Sequence, residues 1–138
     1  MKTILAIFTY VIAFAVAWFF FLFLMLLMEF VGTQSLEYIS SFNIIMKYIA
    51  LLCTPLYAAY IAVTVITTLF KSVKADSIAI SLTSIITTMF FALSAFAYFN
   101  NVQEGTIPVC LQGVAIGLGG FLAIKVYRYK INENLEID

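Results

Sequence analysis

An uncharged stretch of 25 residues, Ile4 to Met28, constrains the fold more than any other feature of this chain. A helix of that length rises about 37 Å, which exceeds the roughly 30 Å hydrocarbon core of a bilayer. A soluble domain has no layer thick enough to bury such a helix on every side, especially one that contains Trp18 and Phe19 to Phe21. The stretch therefore predicts a helix that spans a membrane.

The remaining composition agrees with a membrane protein. Of the 138 residues, 64% are hydrophobic and 10% are charged, whereas soluble domains are about 45–50% apolar and about 25% charged. Three further uncharged runs, 48–70, 78–99 and 106–124, are each long enough to cross a bilayer. Their connections are short, so consecutive helices are expected to be antiparallel neighbours. The predicted fold is an all-α integral membrane protein, an antiparallel bundle of four transmembrane helices without a soluble domain.

The basic residues are distributed unevenly between the two sides of this bundle. Positively charged residues near helix ends accumulate on the cytoplasmic side of membrane proteins. One side carries six of them and the other carries Lys47 alone, which predicts cytoplasmic N and C termini in a bacterial-type inner (plasma) membrane. The six are Lys2, Lys71, Lys74, Lys125, Arg128 and Lys130.

We therefore expect a single membrane domain over residues 1–138. Its predicted spans cover about 4–28, 48–70, 78–99 and 106–127. An outer loop at 29–47, a cytoplasmic loop at 71–77, an outer loop at 100–105 and a cytoplasmic tail at 128–138 complete the chain. Helical spacing of apolar residues between Ser35 and Met46 allows either an early start of the second span or a short helix on the outer surface.

Small residues recur at helical spacing on the first and fourth spans. This pattern lets two helix backbones approach closely in a membrane and gain van der Waals contact. Packing within one subunit and packing between subunits both fit it. The candidate packing residues are Gly113, Gly117 and Gly120 of the fourth span and Ala6, Ala13 and Ala17 of the first.

Hydroxyl side chains form stripes on the second and third spans. One interpretation is a hydrated path that is widest on the cytoplasmic side. In the other, each hydroxyl bonds to a carbonyl of its own helix and permits close packing. The stripe of the third span is continued by Ala92 and Ala95. The candidate path residues are Thr64, Thr67, Ser77, Ser81, Ser84 and Thr88.

The ionisable residues argue against catalysis and cofactor binding. The chain contains no histidine, and its acidic residues lie in predicted loops, the tail or helix ends, so no nucleophile has a base beside it. Cys53 and Cys110 are too few for a cysteine-rich metal site and are expected to be free thiols, with a disulfide between them as the alternative. We predict no enzyme activity, no catalytic or metal site, no cofactor and no nucleic-acid partner.

Two functions remain. The first is helix–helix association in the lipid bilayer, as a homo-oligomer or as a subunit of a complex with another membrane protein. The build resembles that of small tetraspan toxin-immunity proteins and phage-defence membrane components, by architecture alone. The alternative is a small channel or permeation pathway lined by the hydroxyls of the second and third helices.

Overall fold

The structure, a computed structural model, describes residues 1–35, 40–70 and 73–137. Within these ranges it contains no strand and four helices, α1 (Lys2–Ser35), α2 (Ser40–Leu69), α3 (Val73–Phe99) and α4 (Gln103–Ile137). Each helix includes a segment long and apolar enough to cross a membrane. The predicted all-helical fold with four potential membrane spans is therefore confirmed.

The helices are longer than the predicted spans. α1 continues beyond Met28 to Ser35, and α2 begins at Ser40 rather than at Tyr48. The described part of the first outer loop thus extends α1 and α2, and the rest of that loop, 36–39, lies outside the described residues. α4 continues through the predicted tail to Ile137. Hydropathy marks the segment that can lie in lipid, whereas backbone hydrogen bonding carries a helix further into water.

A three-residue turn joins α3 to α4 and has a defined cap. The amide of Val102 donates to the carbonyl of Ala97 (2.9 Å) and that of Asn101 to Tyr98 (3.1 Å). Asn101 has a φ of 58°, a left-handed conformation that asparagine tolerates better than most residues. This is the Schellman arrangement, in which carbonyls of the last helical turn are satisfied as the chain reverses.

The order of packing differs from the order along the chain. α4 packs between α2 and α3, and α1 packs mainly on α2, while α1 and α2 each meet α3 only along an edge. Among the described residues, no Cα atom of α1 lies within 8 Å of one in α4. α2 and α4 run in the same direction, so the most extensive contact is between parallel helices. The expectation that consecutive helices are antiparallel neighbours therefore holds only weakly for α2 and α3.

Burial is concentrated in the α2–α4 pair. Of the residues in the most apolar segment of each helix, 39% are buried in α2 and 33% in α4. The corresponding shares are 17% in α3 and 6% in α1. The core cluster consists of Tyr10, Ala62, Val63, Ile66, Ala79 and Ala123. α1 and α3 consequently present most of their surface to the surroundings of the bundle.

Aromatic contacts establish how α1 runs relative to its neighbours. The ring of Phe21 lies 5.3 Å from that of Tyr57, and the ring of Trp18 lies 6.2 Å from that of Phe90. Nearer the start of α1, Tyr10 is hydrogen-bonded to Thr83 of α3 and belongs to one cluster with Val63 and Ile66 of α2. α1 is therefore antiparallel to α2 and parallel to α3. One end of the bundle, called here the basic end, carries Lys2, Lys125 and Arg128.

Candidate functional site

The glycines of α4 lie against helices of the same chain. A methyl group added at Gly113 would lie 3.2 Å from Cβ of Phe90, and one added at Gly120 would lie 2.5 Å from Cγ2 of Thr83. Gly117 has more room, because the nearest atoms would be in the Thr87 side chain at 3.7 and 3.8 Å. All three predicted glycines thus face α3.

A close backbone approach between α2 and α4 involves a glycine outside the predicted packing set. A Cβ atom at Gly119 would overlap the carbonyl oxygen and backbone carbon of Leu56 in α2. Gly119 stands directly before Gly120, and its lack of a side chain indicates close packing, but the sequence does not say which helix it faces. Gly119 allows the parallel pair α2 and α4 to touch at the backbone level.

The alanines of α1 also face inward. Ala6 and Ala17 are buried and Ala13 is half-buried. They do not meet the α4 glycines, since α1 has no close approach to α4 in the described residues. The two sets of small residues that share a pattern in the sequence are therefore placed on separate contacts.

A buried hydrogen bond ties α1 to α3. The hydroxyl of Tyr10 and that of Thr83 are 2.8 Å apart, and the Tyr10 side chain is fully buried in the core. Thr83 is also the residue that Gly120 contacts. Three helices are thus connected through one tyrosine, one threonine and one glycine.

The α2 members of the predicted hydroxyl path are bonded to their own helix. Thr64 donates to the carbonyl of Tyr60 (2.8 Å), and Thr67 donates to those of Val63 (2.9 Å) and Thr64 (3.1 Å). Thr67 is buried and Thr64 is half-buried. Such back-bonding satisfies a hydroxyl without water.

The α3 members lie on the outside of the bundle and form what we call the α3 stripe. Its spacing of four, three, four, four and three residues keeps the side chains on one helix face. The stripe rises about 27 Å, close to the thickness of the hydrocarbon core. All six members are exposed: Ser77, Ser81, Ser84, Thr88, Ala92 and Ala95. The structure therefore does not bring the α2 threonines and the α3 stripe onto a common surface.

A groove runs between α3 and α4 beside this stripe, with a volume of about 710 Å³. Gly117, which has no side chain and has room around its Cβ position, forms part of its floor. On α3 its wall combines short hydroxyl residues, including Thr87 and Thr88, with the apolar Ile80 and Phe91. Exposed apolar side chains, such as Phe91 and Phe121, border its mouth. We call it the α3–α4 groove.

Charged side chains lie at the basic end of the α3–α4 groove. Lys125 and Arg128 both line it and are both exposed. Nε of Arg128 is 3.6 Å from Oδ2 of Asp76, a distance beyond hydrogen-bonding range. The side chain of Arg128 is 63% exposed and that of Asp76 is 24% exposed, so this ion pair is loose and solvent-screened.

Other chemistry finds little support in the described residues. No group of three His, Cys, Asp or Glu side chains that could hold a metal ion occurs among them. Cys53 and Cys110 are free and half-buried. Among the described residues, the surfaces suited to a partner helix or a ligand are thus the α3 stripe and the α3–α4 groove.

Comparison of the chain with protein-family models, with curated proteins and with solved structures found no match.

Proposed function

We propose that the protein is an integral membrane protein that acts through helix–helix association, as a homo-oligomer or as a subunit of a membrane complex. The α3 stripe is the observation that carries this proposal. Interfaces between membrane helices are enriched in Gly, Ala, Ser and Thr, because small side chains let backbones approach and gain van der Waals contact. Here such residues occupy an exposed face along the whole thickness of the bilayer.

Self-pairing is the simplest form of this association. Two copies related by a two-fold axis along the membrane normal would bring identical α3 stripes together in parallel, as an isologous interface requires. The seven-residue spacing resembles the a and d positions of a left-handed helix pair. The small residues of α4 are less suited to this role, since Gly113, Gly119 and Gly120 are already buried within the subunit.

Cysteine cross-linking tests the pairing directly. With Cys53 and Cys110 replaced by alanine, Ser81→Cys and Ala92→Cys are expected to form disulfide-linked dimers in membranes under mild oxidation. Leu93→Cys serves as the matched control, because Leu93 is equally exposed on α3 but lies outside the stripe. Monomers at all three positions, or dimers at all three, would contradict an interface at the α3 stripe.

A small channel is the second candidate, favoured by the exposed hydroxyls of Ser77, Ser81 and Ser84. In a ring of subunits these hydroxyls could line an axial opening. A water-soluble, membrane-impermeant thiol reagent would then modify the Ser81→Cys variant, and this variant would not form disulfide-linked dimers. Labelling combined with ion conductance in planar bilayers supports the channel, and protection of Ser81→Cys from the reagent supports packed association.

We further propose that both termini lie in the cytoplasm of a bacterial-type inner membrane. The basic end carries Lys2, Lys125, Arg128 and Lys130, and basic residues are retained on the cytoplasmic side. Reporter enzymes that are active only outside the cytoplasm are expected to be inactive when fused to either terminus and active when inserted after Asn100. Activity of either terminal fusion would contradict the proposed orientation.

A further inference from the structure

We propose that the α3–α4 groove binds one acyl chain of an anionic phospholipid, with the lipid phosphate held by Lys125 and Arg128. This inference concerns a ligand different from the protein partner proposed above, although the groove shares Ser84 and Thr88 with the α3 stripe. It rests on the size, lining, length and charge of the groove.

The size of the groove fits an amphiphilic molecule. Its volume of about 710 Å³ lies within the roughly 300–1,000 Å³ of ordinary small-molecule sites. Its borders at Ile80, Phe91 and Phe121 are exposed on the outside of the bundle, so the groove is open to the lipid around a membrane-inserted protein. Apolar walls with a few hydroxyls suit a hydrocarbon chain, whereas they offer no partner to a bulky polar ligand.

The length of the groove corresponds to one leaflet. The lining extends along α4 from Gly117 to Arg128 and along α3 from Ile80 to Phe91. At 1.5 Å per residue both walls are about 16 Å long, and half of a 30 Å hydrocarbon core is about 15 Å. The basic side chains are at the end of this path, where the head group of a lipid in that leaflet would lie.

The charge of the basic end selects the head group. Lys125 and Arg128 are three residues apart on α4 and therefore project from the same helix face. Nε of Arg128 is 3.6 Å from Oδ2 of Asp76, and the guanidinium carries five N–H donors that can bind phosphate oxygens. Basic pockets between transmembrane helices are typical binding places for anionic lipid head groups.

Charge variants test the head group. Delipidated protein in a mild detergent is titrated with phosphatidylglycerol or with phosphatidylcholine of identical acyl chains, and the bound lipid is counted by native mass spectrometry. We expect the wild type to prefer phosphatidylglycerol, and Lys125→Gln and Arg128→Gln each to lower its affinity about fivefold. Lys130→Gln is the control, since Lys130 is exposed on the same helix but does not line the groove.

A groove-filling variant tests the acyl chain. Gly117→Leu places a branched side chain on the groove floor, and the room at this Cβ position should let the fold persist. We expect it to lower binding of both lipids at least tenfold. The charge variants change only exposed side chains, so they keep the proposal testable if Gly117→Leu fails to fold.

Several results would overturn the inference. The first is that the wild type binds the two lipids with equal affinity. The second is that Lys125→Gln and Arg128→Gln bind phosphatidylglycerol as well as the wild type does. The third is that inorganic phosphate competes for the site as effectively as the lipid itself. Cross-linking of Gly117→Cys between two copies in lipid-replete membranes would assign the groove to a protein partner instead.

Discussion

Replacing Gly119 by alanine is expected to destabilise the bundle by about 3 kcal/mol or more, the upper end of overpacking costs in protein cores. The added methyl group would overlap the backbone carbonyl of Leu56. Backbone atoms cannot rotate away as a side chain does, so α2 and α4 must separate along their most extensive contact. The free energy of unfolding, measured in micelles by increasing the fraction of a denaturing detergent, reports the loss.

Two variants make this prediction specific to the site. Gly117→Ala should change stability by less than about 1 kcal/mol, because its methyl group meets only ordinary contacts. Gly120→Ala should be intermediate and partly rescued by Thr83→Ser, which removes the Cγ2 atom that the new methyl group would strike at 2.5 Å. No side-chain change at Leu56 should rescue Gly119→Ala. Wild-type stability of Gly119→Ala would show that the two backbones are further apart than described.

Replacing Tyr10 by alanine is expected to cost about 3 kcal/mol, at the lower end of values for buried aromatic side chains. Tyr10 is fully buried between α2 and α3, and its ring also stacks on Phe14 with centroids 6.2 Å apart. In a micelle or bilayer, which is itself apolar, transfer of the ring contributes less, and the cavity and the missing contacts dominate. Tyr98→Ala, at a 66% exposed tyrosine, is the matched control and should be nearly neutral.

Tyr10→Phe separates the hydroxyl from the ring. It keeps the packing and removes the 2.8 Å hydrogen bond to Thr83, and side-chain hydrogen bonds between membrane helices contribute about 0.6 kcal/mol on average and up to about 1.7. A double-mutant cycle with Thr83→Val should give a coupling energy in that range. A coupling energy of zero would mean that the two hydroxyls do not interact in the folded protein.

The number and position of the apolar helices could be predicted from the sequence, because a bilayer demands long uncharged segments with internally satisfied backbones. The helix ends could be located less well. Helical spacing between Ser35 and Met46 allowed an early start of the second helix as one of two alternatives, and α2 begins at Ser40. Arg128 to Ile137 is helical although it carries polar residues, and nothing in hydropathy distinguishes a polar helix from a polar loop. The end of α3 was set by Asn101, which takes the left-handed position after the last turn.

The residues of the candidate site could be predicted from their spacing in the sequence, but their neighbours in the structure could not. The spacing of Ser77 to Ala95 and of Gly113 to Gly120 could be read from the chain. Their neighbours could not, because short connections limit which ends of the helices lie together but not which pair packs most closely. The contact of Gly119 with Leu56, and with it the α2–α4 pair, appears only once the helices are assembled.

The sequence by itself determined that this chain forms four apolar helices, and only the tertiary structure decided which face of each helix is inside. In a soluble protein, water separates polar outer faces from apolar inner ones and writes that choice into the sequence as amphipathic periodicity. Lipid is as apolar as a protein core, so a membrane helix carries little such signal. Ala17 and Ala92 are the same residue in similar surroundings along the chain, yet Ala17 is buried and Ala92 is exposed, because close packing rather than hydropathy selects the buried face.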